Sequence, residues 1–132
     1  MKSEIKVPDG WEIVHGSDSI MLDVGSRPKG GAKTEGDIPS LGGEHINRKR
    51  GIIDFKKNPK FISYEYFKRM NKGRLKEDDI IINKDGAWTG KVAYVKDLFS
   101  QEIAINEHLF IIRSKGSFVQ KYLFYYLEMF SA

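Results

Sequence analysis

GSRPKGGAKTEGDIPSLGGEHI, residues 25–46, falls into two parts. The first is a cationic, glycine-rich loop carrying Arg27, Lys29 and Lys33. The second is a short apolar run, Ile38-Pro39-Ser40-Leu41, that breaks at Gly42-Gly43 into the polar pair Glu44-His45. A run of that length reads as a strand, and Pro39 points to an edge position or to the strand's first residue, because proline cannot donate to a ladder. Glycine lets backbone approach a partner closely. A loop of this kind at a strand end presents side chains to something outside the fold.

Upstream of this stretch, Trp11–Val14 alternates apolar and polar as a strand would, Ser17-Asp18-Ser19 reads as a turn or cap, and Ile20–Val24 reads as a second strand. Downstream, Gly42–Arg50 is irregular and Gly51–Phe55 is a short strand candidate. Ser63 caps a helix over Tyr64–Met70, which stops near Asn71-Lys72-Gly73. Ile80–Ile82, Lys91–Val95, Ile103–Ile105 and Leu109–Ile112 are further strands, and Ser117 caps a final helix from Phe118 to about Phe130. The order predicts an α+β fold: many short, mostly antiparallel strands in a curled sheet, one short middle helix and a C-terminal helix. No βαβ rhythm calls for a parallel doubly wound sheet.

The last helix carries Phe118, Val119, Tyr122, Leu123, Tyr126, Leu127 and Phe130 on one stripe, with Phe124, Tyr125 and Met129 off it. Apolar residues nearly all round predict a helix buried on more than one side, as in a central core, or one awaiting a partner.

The 132 residues, 40% hydrophobic and 30% charged, suit one domain, with 1–9 as a flexible tail. No apolar run approaches the ~20 residues of a membrane span, and the start lacks a signal-peptide core, so a cytoplasmic place is expected. Without cysteine there are no disulfides or thiolate metal sites, and His15, His45 and His108 are too scattered to predict a metal. The net charge is only +4, yet half of the 22 Lys and Arg lie between His45 and Lys76, opposed there by only Asp54 and Glu65. That is the footprint of a polyanion binder, or of a surface whose counter-charges fold in from Glu77-Asp78-Asp79.

The sequence fragments that approach catalytic patterns each lack a required part. Asn58-Pro59-Lys60-Phe61 matches the N-P-x-F of adenine methyltransferases superficially, but no glycine-rich cofactor loop precedes it, so a turn is the better reading. Gly31-Ala32-Lys33-Thr34 departs from the phosphate-loop pattern by the alanine between glycine and lysine. Glu4-Ile5-Lys6 has no acidic partner on a preceding strand. Asp78 and Asp79 would point to opposite faces of a strand, and Asp85-Gly86 is turn chemistry. No catalytic residue, metal or cofactor is expected.

Recognition chemistry remains. Arg and Lys read guanine, Asn and Gln read adenine, and Glu or Asp accepts from cytosine. Glu44, His45, Asn47, Arg48 and Arg50 supply all three kinds in one segment; Lys84, Trp88 and Thr89 sit in a second loop, and Asn106 and His108 in a third polar cluster, Asn106-Glu107-His108. These are the candidate base readers, with Trp88 equally readable as a core anchor. Arg27, Lys29, Lys33, Lys49, Lys56, Lys57 and Lys91 are the candidate phosphate contacts.

Four segments, in order, resemble one family. Gly36–Ile46 (GDIPSLGGEHI), Asp78–Val95 (DDIIINKDGAWTGKVAYV), Ala104–Ile112 (AINEHLFII) and Lys121–Leu127 (KYLFYYL) are similar to the target-recognition domains of type I restriction-modification specificity subunits. The resemblance implies a scaffold held by residues such as Gly36-Asp37-Ile38-Pro39 and Gly90-Lys91, with loops that vary with the DNA sequence read. It implies a subunit of two such domains separated by long spacer helices, each domain reading half of a split target in double-stranded DNA. The helices recruit methyltransferase subunits and, through them, an ATP-driven restriction subunit. A spacer helix is then expected after residue 132, and the aromatic last helix is expected to self-associate without it. The rival readings are a recognition fragment of a fused methyltransferase-endonuclease, or a protein-interaction module that uses the aromatic helix.

Overall fold

The computed structural model describes residues 5–47, 52–86, 89–116 and 119–129. The fold is α+β. β1 (Ile20–Val24), β9 (Leu109–Ser114), β6 (Ile80–Asn83) and β7 (Val92–Tyr94) lie side by side, in that order, as an antiparallel sheet. In a second sheet β2 (Ile38–Leu41) lies between β5 (Phe61–Ile62), to which it is antiparallel, and β8 (Ala104–Ile105), to which it is parallel. β3 (Ile46–Asn47) and β4 (Ile52–Ile53) pair as a small ribbon.

The unbroken run Ile80-Ile81-Ile82 is explained by what covers each side of β6. Side chains of a strand alternate between faces. Ile81 stands opposite Ala93 and Ile111, and these pack with Leu41, Ile105 and Leu109 on one face. Ile80 stands opposite Tyr94 and Ile112, and these pack with Val92 and Phe124 on the other. Both faces are dry, so both registers are apolar.

α2 (Tyr64–Arg69) starts where Ser63 Oγ accepts the Tyr66 N–H at 3.1 Å and Asp37 Oδ2 accepts the Tyr64 N–H at 3.1 Å. It buries Phe67 against Ile38, Ile62 and Ala104. Its last carbonyls are satisfied by Arg74, whose Nη2 donates to Phe67 O at 2.7 Å and Lys68 O at 2.6 Å while the guanidinium lies over the Phe67 ring. The start of α3 (Gln120–Met129) is tied to β9 by Gln120, whose Nε2 donates to Ile112 O at 2.7 Å and whose Oε1 accepts the Ser114 N–H at 2.8 Å.

Five sequence readings change. Trp11–Val14 forms no strand; without a neighbouring strand its alternation has nothing to bury, and Trp11, Ile13 and Val14 are exposed. Residues 16–19 make one helical turn, α1 (Gly16–Ser19). β2 is a middle strand and Pro39 its second residue; the ladder bond to the β5 side comes from Ser40 N–H to Lys60 O at 2.9 Å, so the proline nitrogen is not asked for it. Phe61, placed in a turn from the sequence, begins β5. α3 is no core helix. Phe124 is its buried residue and Leu123 and Leu127 are partly covered, whereas Tyr122 is 66% and Met129 77% exposed. The expected cap Ser117 and the end residues Phe118 and Phe130 lie outside the described residues.

Asp78 and Asp79 do part company, as a turn demands. Asp78 takes a positive φ of 69° and accepts from Lys96 Nζ at 2.5 Å and Tyr94 Oη at 2.8 Å. The Lys96 hydrogen bond, then that of Tyr94, holds its carboxyl below the usual range. Asp79 is 2% exposed and takes a two-pronged bond from Arg113, Nε to Oδ1 at 2.6 Å and Nη2 to Oδ2 at 2.8 Å. Arg113 also donates to Arg74 O at 2.8 Å, tying β9 to the chain before β6. Removing one partner of a buried pair strands the other charge. Asp79→Ala leaves Arg113 only the carboxylate of Asp23, whose Oδ2 is 3.6 Å from its Nη1, and is therefore expected to cost about 3 kcal/mol in urea unfolding, the low end for a broken buried pair, and Asp78→Ala far less, because Asp78 is solvated. Equal losses would refute this division of roles.

Candidate functional site

The loops after β1, β2, β4, β6 and β8 converge on an open groove of ≈ 820 Å³. Its wall contains Arg27, Glu44, Asn47, Lys57, Lys91, Asn106 and His108 from the expected set, and Asn83, Asp54 and Asp85 from outside it. Backbone close approach builds the floor. A Cβ on Gly42 would stand 2.6 Å from Asn106 Nδ2, and one on Gly43 2.6 Å from Asn83 Nδ2. Two consecutive glycines let the chain leave β2 across those two amides. The chain then turns through a 3-10 segment, Gly43–His45, into β3.

Two of the expected contact residues turn out to brace this floor. His45 is 1% exposed; its Nδ1 accepts the Gly42 N–H at 2.9 Å, which leaves Nε2 to donate to Asn58 O at 3.1 Å. Its ring also stacks obliquely on Phe55, 5.0 Å between centroids. Lys91 is 6% exposed, with its ammonium donating to Gly43 O at 2.6 Å and Ile46 O at 3.3 Å. Neither side chain is presented to a base or phosphate. Asn106 is buried as well; its Oδ1 accepts the His108 N–H at 2.9 Å and shapes the third loop.

The side chains above the floor come in bridged pairs. Glu44 Oε2 accepts from Asn58 Nδ2 at 2.9 Å. His108 Nδ1 lies 2.7 Å from Asp85 Oδ1, both about half exposed. Arg27 Nε donates to Glu107 Oε2 at 3.1 Å and stands 2.5 Å from Oε1. Burial, the largest single influence, pushes the Glu107 carboxyl up, but the Arg27 hydrogen bond, its own backbone N–H and nearby positive charge together hold it below 4.5. These donors and acceptors are held in place before any ligand arrives.

The other expected residues lie apart. Lys29 and Lys33 are exposed in the 25–37 loop, where Lys33 bonds through its backbone to Phe61 in both directions, at 2.9 and 2.7 Å. Lys56 is exposed beside Lys57. Lys84 is exposed and lies over the Phe110 ring at 5.3 Å, and the Thr89 hydroxyl donates to Gly86 O at 2.7 Å. None of these lines the groove. Arg48, Lys49, Arg50 and Trp88 lie outside the described residues. Asp54, Asn83 and Asp85 were missed as site residues. Asp85-Gly86 reads as turn chemistry and Asn83 as a strand end, and nothing local marks Glu107 as the partner of a residue 80 positions away. Among the described residues no three ligating side chains converge to hold a metal, and no helix is long and apolar enough to cross a membrane.

The type I restriction modification DNA specificity domain is the family whose model matches residues 8–132. The chain is similar in fold to a crystal structure of the HsdS subunit from Thermoanaerobacter tengcongensis, with a TM-score of 0.70 at 17% identity over 96% of this chain and 29% of that one. A structure describing complex assembly and conformational transition of the type I R-M system superposes at 0.67, again 17% identical over 96% of this chain and 29% of that one. The chain thus spans under a third of the length of either. A search of curated proteins returned no match.

The balance at Glu107 can be read directly. Its carboxyl carbon, followed by NMR, is expected to titrate below pH 4.5 in the native chain. A depressed carboxylate contributes stability that is present above its unfolded value and lost as pH falls through the folded one. In Arg27→Gln the main opposing influence to burial is gone, and the same resonance is expected to titrate higher. An unmoved midpoint would mean that the pair does not form in solution.

Proposed function

The chain belongs to the family of type I restriction modification DNA specificity domains, and from that premise we propose that the groove is its DNA-reading surface. The observation that carries the reading is the convergence of five loops, each bearing polar side chains of base-reading type, on one wall held by buried His45, Lys91 and Asn106. Glu44, Asn47 and His108 are the proposed base readers here, as acceptor, amide and imidazole. Lys57 at the rim, with Lys56, Lys29 and Lys33 further out, meets phosphates. Carboxylates among the cations lower affinity for any polyanion, so they favour discrimination over bulk binding.

We further propose that the domain reads one half of a bipartite target and directs methyltransferase and restriction subunits in the cytoplasm, supplying specificity and no catalytic step of its own. The exposed aromatic side of α3, with Tyr122, Tyr125 and Met129, is the surface where a spacer helix or a second copy would pack.

Selection from a randomised duplex library, at two salt concentrations, tests the reading. A recovered motif of a few contiguous base pairs, with binding that weakens as salt rises, is expected. Lys57→Ala is expected to weaken all sequences alike and to lower the salt slope by about 0.9, one phosphate's worth. Binding without any enriched motif would sink the groove as a reader.

A further inference from the structure

Arg27 is not held as a phosphate contact would be. The sequence groups it with Lys29 and Lys33, but only Arg27 of the three lines the groove. Its backbone is pinned. Gly25 lies so close to the end of β8 that an added Cβ would stand 2.2 Å from the carbonyl oxygens of Ile105 and Asn106, and Ser26 N–H donates to Ile105 O at 3.2 Å. Its side chain is pinned at one nitrogen, where Nε meets the Glu107 carboxylate. Among the described residues, Nη1 and Nη2 have no protein partner.

We propose, on the reading that the groove binds duplex DNA, that Arg27 reads a guanine and that Glu107 is the positioning residue that aims it. Guanine shows two acceptors, N7 and O6, on its major-groove edge, and it is matched by two coplanar N–H donors. A guanidinium gripped at Nε keeps its Nη1–Nη2 end for such a pair. The grip also removes rotamer freedom before binding, so less is lost when the base is engaged. A phosphate contact can use the same planar fork but does not depend on it. It needs charge near an oxyanion and no fixed plane, and a carboxylate beside the cation subtracts from that charge. Lysine serves phosphate as a point charge but cannot make the planar pair.

The test is selection from the same randomised duplex library with the native chain, Arg27→Lys, Arg27→Gln and Glu107→Gln, each first shown to unfold cooperatively. The native chain is expected to recover a motif with guanine at one position. Arg27→Lys keeps the charge and is expected to bind the library with the native salt slope, yet to lose roughly ten-fold or more of the preference at that position. Glu107→Gln is expected to weaken the same preference while leaving the other positions unchanged. If Arg27→Gln instead weakens every sequence alike and lowers the salt slope by about 0.9, or if Arg27→Lys keeps the full preference, Arg27 is a phosphate contact and the proposal falls while the groove reading stands. A preference untouched by Glu107→Gln removes the role of Glu107. No motif from the native chain overturns the groove reading, and the proposal with it.

Discussion

Burial of β6 on both faces is the constraint from which the rest of the structure follows. Ile80 and Ile81 are fully buried and point opposite ways, one toward α3 and one toward the layer of Leu41 and Ile105. Burying such a side chain stabilises by about 1.5–3 kcal/mol. More important here is register: a slip of one residue would exchange the two sets and mismatch both layers. With β6 fixed, β7 and β9 are fixed beside it, and β9 fixes β1.

The site inherits that rigidity at the ends of the same strands. Asn83 closes β6 and lies under Gly43; Lys91 stands just before β7 and ties down Gly43 and Ile46. The loop that leaves β2 is thus clamped by groups whose own positions come from the core sheet. A buried ammonium is costly unless its donors find partners, and two backbone carbonyls on a turn supply them. The floor is structural, and the exchangeable chemistry sits above it on Glu44, Asp85, His108 and Arg27.

Legibility followed the range of the interactions. Ile20–Val24, Ile38–Leu41 and Ile80–Ile82 were readable because apolar runs bounded by turn residues report burial locally, and α2 because Ser63 is its own signal. β5 was not, since two residues become a strand only by lying beside Ile38 and Pro39. Trp11–Val14 shows the converse, a period without a neighbour. At the site, residue type was readable and exposure was not. His45 and Lys91 have the chemistry of a contact, but their neighbours in space, Asn58 and the Gly43 carbonyl, bury them. The pairing of Glu107 with Arg27 was hidden for the same reason, the two lying in different loops.

The pairing of β1 with β9 sets Ile20 beside Ser114, and the parallel pairing of β2 with β8 sets Ser40 beside Ala104. As the chain is synthesised from its N-terminus, β1 and β2 emerge long before their partners exist. Little of the sheet can be locked by local contacts, and loop closure must be met before the long-range pairs return any stability. Leu22 and Val24, exposed even in the finished fold, then wait on an unpaired strand. The residues between β1 and β9 must be made before β1 can pair, and long-range pairing of this kind is slow to form.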